Sequence, residues 1–157
     1  MDFRWGNGPS SLLAGAVEFK VKPARFNPFA LPFRHYWRVI VFPSKKAMHS
    51  YGHWRSPRPE NKSGYEGICI PFWRWNPLTE QPGPKLGEVL FYRGRLGTSV
   101  ITHEAIHVTA STMRVLVNRE AVDLGDENGD PEERFAYTHC SLCRQLVDGF
   151  HAVGLLG

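Results

Sequence analysis

Apolar and charged positions alternate over 17–22, where Val17, Phe19 and Val21 are separated by Glu18, Lys20 and Lys22. A period of two predicts a strand with one wet face. The run Tyr36-Trp37-Arg38-Val39-Ile40-Val41-Phe42 is rich in β-branched and aromatic residues and is stopped by Pro43, so 36–42 is expected to be a central strand. Two further strands are expected at 66–70, cut at Pro71, and at 88–93. The period then changes. Ile101, Ala105, Val108, Thr112 and Val115 step by four and three, which predicts a helix over 98–117 behind the turn Gly97-Thr98-Ser99. A second helix is expected over 131–148. Asp130 is its cap, Pro131 its first residue, and Phe135, Leu142 and Leu146 with Ala136, Cys140, Cys143 and Val147 form its apolar stripe. Ser44 is placed to cap a short helix over 44–51.

The connectors follow from their breakers. Residues 1–15 read as a flexible N-terminal arm, 52–64 as an exposed loop, and 73–87, with Pro77, Pro82, Gly83 and Pro84, as a long irregular loop. The acidic, glycine-punctuated stretch 123–130 is a connector, since the ladder of a calcium loop is out of register in it. A chain of 157 residues with 42% hydrophobic positions suits one domain with a core, here 16–157. The expected class is α+β, a small mixed or antiparallel sheet packed against two main helices.

On the first of these helices the sequence runs His103-Glu104-Ala105-Ile106-His107. Residues four apart share a helix face, with Cβ atoms about 5–6 Å apart, so both imidazoles can reach one ion. On a strand the same two residues would stand about 13 Å apart and could not share it. Glu104, on the adjoining flank, is better placed to take a proton from a bound water than to bind the ion. This is the H-E-x-x-H arrangement of zinc peptidases. Catalytic zinc sites use three protein ligands and keep a position open, so a third is required. Glu132 and Glu133, in the first turn of the second helix, compete for it. Ala136, three residues after Glu133, allows close helix approach, whereas Phe135 follows Glu132 at that spacing, so Glu133 is favoured.

His103-Glu104-Ala105-Ile106-His107, followed by Glu133-Arg134-Phe135-Ala136, resembles the gluzincin branch of zinc metallopeptidases, most of all the small single-domain zincins encoded by phages and mobile elements. The resemblance spans 88 to about 146. It implies a zincin-like domain with Zn2+ on His103, His107 and Glu133, Glu104 as general base, and a peptide or protein substrate held along the strand before the zinc helix. The free edge of 88–93 is expected to pair with that substrate. Tyr137 is the first candidate for stabilising the oxyanion and His139 the second.

Charge and cysteines narrow the rest. A net charge of +4 permits acidic partners without a dense basic run. Arg34-His35-Tyr36-Trp37-Arg38 and His53-Trp54-Arg55-Ser56-Pro57-Arg58 interleave bases with aromatics, an alternative pointing to nucleic acid. A non-catalytic binding or structural phage protein on a zincin-like scaffold is the other alternative. Three cysteines form no disulfide framework, and Cys140 and Cys143 are expected to pack in the core rather than bind metal. Met1-Asp2-Phe3-Arg4 is unlike a signal peptide, and no apolar run is long enough to span a membrane. The expected compartment is the cytoplasm, that of a bacterial host for a phage-encoded chain.

Overall fold

The computed structural model describes residues 4–23, 35–57, 65–73, 75–78, 81–115 and 130–156, with backbone only at 75–76, 81–82 and 130–134. Four strands form one mixed sheet: β1 (Val17–Val21), β2 (Tyr36–Phe42), β3 (Ile68–Pro71) and β6 (Lys85–Tyr92), in the order β1-β2-β6-β3. The small strands β4 (Trp75–Asn76) and β5 (Gln81–Pro82) pair separately. Helices α1 (Lys45–Arg55), α2 (Thr98–Met113) and α3 (Asp130–Ala152) complete the domain. The α+β class stands. Among the described residues no helix is long and apolar enough to cross a membrane.

Alternation along the strands divides the core in two. Val39, Val41, Val89 and Phe91 face α2 and α3, where they meet Ile101, Ala105, Val108, Leu142, Leu146 and Phe150. Ile40, Phe42, Ile68, Ile70 and Leu90 face α1 and close over Met48 and Tyr51. The expected periodicity of α2 holds, with Ile101, Ala105, Val108 and Thr112 all buried. The Trp37 indole N–H donates to Thr112 Oγ1 at 3.0 Å and ties α2 to the central strand.

Several expectations are corrected. Helix α1 runs on to Arg55, so 52–55, expected as the start of an exposed loop, are helical, with Gly52 and Arg55 buried, and 58–64 lie outside the described residues. Ser44 does cap it, accepting from the Ala47 N–H at 3.1 Å. The irregular loop expected over 73–87 contains the β4–β5 pair, and β6 begins at Lys85 rather than at 88. Helix α3 continues past 148 to Ala152, where Gly154 turns left-handed (φ +76°) and Leu155 N–H reaches the Phe150 carbonyl at 2.8 Å, closing a Schellman end. The largest correction concerns β6. It pairs with β2 in parallel and with β3 antiparallel, so it has no free edge. The open edge beside α2 belongs to β3. The acidic stretch 123–129 lies outside the described residues.

A buried charge cluster holds α1 to the sheet. Glu88 is fully buried, and Arg55 Nε, Arg38 Nη1 and Lys85 Nζ reach its carboxylate at 2.7, 3.0 and 3.0 Å. The Tyr51 hydroxyl adds a bond of 2.9 Å. Arg55 and Arg38 then turn their remaining donors outward. Arg55 binds the carbonyls of Arg4 and Gly6, and Arg38 binds that of Asn7. The described part of the expected loose arm, 4–15, forms no helix or strand, yet its carbonyls at Arg4, Gly6 and Asn7 are taken up by these two guanidinium groups.

Burial raises the Glu88 pKa, but the bonds and charges of Arg55 and Lys85 outweigh it and leave the carboxyl below its ordinary value. The stability it supplies is present above the ordinary carboxylate range and is lost as pH falls through the depressed folded value. Glu88→Gln leaves three cations facing a neutral amide and is expected to cost about 3–5 kcal/mol at pH 7. Urea unfolding at pH 7 measures this, and a cost under about 1 kcal/mol would mean that the cluster is solvated.

Candidate metal centre

Helix α2 places the two histidines on its exposed side and the glutamate between them on its buried side. His103 Nε2 and His107 Nε2 stand 3.2 Å apart, with ring centroids separated by 4.9 Å. Two nitrogens bound to one tetrahedral ion at about 2.0–2.1 Å would stand about 3.3–3.4 Å apart. The rings therefore converge at the separation a shared ion requires, and without an ion one imidazole can donate to the other across the same gap. The proximity of His103 and partial burial both lower the pKa of His107, with burial the larger cause, which favours the neutral ring that binds metals.

Glu104 lies beneath them, 4% exposed, with Oε1 4.0 Å from His103 Nε2. Burial alone pushes its pKa up to about 7. The cause is visible in the packing. Gly67, just before β3, lies so close that a Cβ there would sit 2.8 Å from Glu104 Cγ and 3.0 Å from Oε1. A side chain at this point would have to push the Glu104 side chain aside.

These side chains line a cleft of about 660 Å³ between α2 and the edge of β3. His103, Glu104, His107 and Ser111 form one wall, and Gly67, Cys69 and Pro71 the other. The Phe72 N–H donates to the Leu86 carbonyl opposite it at 3.0 Å. In an antiparallel ladder the bonded positions alternate, so Ile70 and Ile68 also bond to β6. The backbone N–H and C=O of Cys69 and the carbonyls of Gly67 and Pro71 are then left on the open edge, facing the cleft. Pro71, which has no N–H to offer, occupies a position where none is needed for pairing.

The remaining expected site residues divide. Glu133 and Glu132 fall in the first turn of α3, where side chains lie outside the described residues. Ala136, on which the preference for Glu133 rested, is exposed and does not draw the helices together. Among the described residues no group of three or more His, Cys, Asp or Glu side chains is placed to hold an ion. Tyr137 is 55% exposed and lies off the cleft wall. His139 stands 3.6 Å from the Cys143 sulfur, while Cys140 is exposed on α3 rather than buried in its stripe, which is formed by Thr138, Leu142, Leu146 and Phe150.

The basic-aromatic segments are also relocated. Trp37 and Arg55 are fully buried and Arg38 nearly so, consumed by the core and the Glu88 cluster, so they offer no stacking surface for nucleic acid. Arg34 and Arg58 lie outside the described residues.

Cys69 is the cleft residue that pattern reading missed. Burial and the neighbouring Glu104 both raise its thiol pKa, burial being the larger cause. Its alternation with Ile68 and Ile70 signals that it faces the opposite side from them, but only the fold shows that α2 lies there. No family model, curated protein or solved structure matches this chain.

A carboxyl with a raised folded pKa holds its proton more tightly in the folded chain. Folding is favoured below the ordinary carboxyl value of 4.5, and that contribution is withdrawn as pH rises through about 7. Glu104→Gln in metal-free protein is therefore expected to add about 2–3 kcal/mol at pH 8 and close to nothing at pH 4. Urea unfolding at both pH values checks it, and an equal effect at the two would mean that the carboxylate is hydrated.

Proposed function

We propose that this chain is a zinc-dependent peptidase whose centre is His103, His107 and Glu104. The observation that carries the reading is the 3.2 Å separation of the two imidazole nitrogens, directly above a buried carboxyl and at the wall of an open cleft. Nε2 of each histidine would hold the ion, and Glu133, or Glu132 beside it, is the proposed third ligand. When bound, zinc lowers the pKa of water to about 7 and polarises a carbonyl.

Glu104 supplies the proton chemistry. Its Oε1 stands 4.0 Å from His103 Nε2, so it is placed to accept a proton from the attacking water and return it to the leaving amine. The apolar packing that raises its pKa also shields the carboxyl from bulk water. The open edge of β3, not that of β6, would hold the substrate. An extended peptide adding there bonds to the free N–H and C=O of Cys69, which aligns its backbone past the histidine pair.

Purified protein is expected to hold one zinc per chain, measured by elemental analysis, and His107→Ala to lose it. Glu104→Gln should keep the metal and lower peptide cleavage about 10²–10⁴-fold. Gly67→Ala, by displacing the Glu104 carboxyl, should lower kcat by about tenfold while zinc stays bound. A chain that holds zinc through His103 and His107 but cleaves no peptide in a broad library would instead be a binding protein. Zinc content unaffected by His107→Ala would end the peptidase reading.

A further inference from the structure

A second hollow of about 330 Å³ opens off the cleft. It shares Pro71 and Ser111 with the first cavity and is otherwise walled by Trp5, Phe72, Trp73, Val115 and the exposed Arg114. Taking the peptidase reading as its basis, we propose that this hollow receives an aromatic side chain of the substrate. The protein would then select peptides carrying Phe, Tyr or Trp two or three residues from the cleaved bond.

Three observations lead there. First, position: Ser111 lies one helical turn past His107, about 6 Å along α2, and Val115 one turn further. An extended peptide advances about 3.3 Å per residue, so a chain laid on the β3 edge brings its second or third side chain to the opening. Second, composition: the wall presents two indoles and a phenyl ring, with Trp5 and Phe72 already edge-to-face at 5.6 Å. A third ring completes such a cluster with the same geometry, which an aliphatic chain cannot do. Third, charge: the exposed Arg114 in the wall repels Lys and Arg side chains and leaves neutral rings unopposed.

Trp5 is held in place from behind. The residues on either side of it, Arg4 and Gly6, give their carbonyls to the buried Arg55, so the backbone that carries the 43% exposed indole is anchored while the ring itself rests edge-on against Phe72. The N-terminal segment thereby becomes one wall of the pocket.

The test uses the full zinc-loaded chain and two hexapeptides that differ only in Phe against Ala at the position in question. Binding is measured by calorimetry on the Glu104→Gln protein, and cleavage preference by mass spectrometry of a peptide library on the wild type. The Phe peptide is expected to bind about 10- to 100-fold more tightly. Trp5→Ala should reduce that ratio about fivefold and Trp5→Phe should restore most of it. Trp73→Ala, at a second exposed wall residue, should reduce it likewise. Equal binding of the two peptides, or a preference that neither Trp5→Ala nor Trp73→Ala reduces, would overturn the pocket. Cleavage without aromatic selection would overturn it while leaving the peptidase reading intact. Aromatic-selective binding without any cleavage would uphold the pocket and remove the peptidase reading.

Discussion

Gly67 passes so close over the Glu104 carboxyl that one methyl group would collide with it. The whole candidate site follows from that approach. For β3 to reach this place it must pair with β6, which must in turn be paired on its other side with β2. Helix α2 must then pack its Ile101, Ala105 and Val108 stripe against the same sheet. Each step is secured by apolar burial, and together they leave a glutamate facing inward with its histidine neighbours facing out. A cleft between an open strand edge and a helix is the consequence of the layer packing, not an addition to it.

Two buried carboxylates, one on each side of the sheet, show how environment assigns roles. Glu88 meets three cations and a tyrosine hydroxyl, and its charge is retained at a depressed pKa. Glu104 meets little beyond apolar packing and an exposed imidazole 4.0 Å away, and its pKa rises to about 7. The first arrangement stabilises the fold as pH rises from the acid range. The second costs stability increasingly as pH rises from about 4.5 to about 7 and in full above neutrality, since ionising the group leaves a poorly compensated charge. A side chain kept at such a cost is a functional candidate on physical grounds. The contrast also locates the two centres: polar bonds are concentrated where α1 is anchored, and withheld where chemistry is proposed.

How much of this was legible beforehand depended on whether the information was local. The stepping of Ile101, Ala105, Val108 and Thr112 was enough to place His103 and His107 on one helix face, and the structure has them there. The strands at 17–22 and 36–42 were visible for the same reason, since period and composition act within a few residues. Pairing is not local. The alternation that marks 88–93 as a strand does not say that β2 will lie parallel on one side and β3 antiparallel on the other, so the open edge was assigned to the wrong strand. Charge partners are not local either. Arg38 and Arg55 beside Trp37 and Trp54 look like a basic aromatic surface until Glu88, 50 and 33 residues further along, draws both guanidinium groups inside. The stretch 73–87 looked irregular because its prolines exclude long strands, yet a two-residue ladder tolerates a proline at its end.

The N-terminal segment joins the two faces of this account. Arg55 satisfies Glu88 with Nε and Nη2, and the remaining donors on the same guanidinium pull in the backbone around Trp5. A planar fork of five N–H groups can serve both tasks at once, which a lysine at this position could not. The interaction that anchors α1 therefore also sets where the indole stands at the far end of the cleft. Stability of the sheet and the shape of the proposed aromatic pocket are in this way coupled through one buried side chain. A change at Arg55 would reach the mouth of the cleft without touching any residue that lines it.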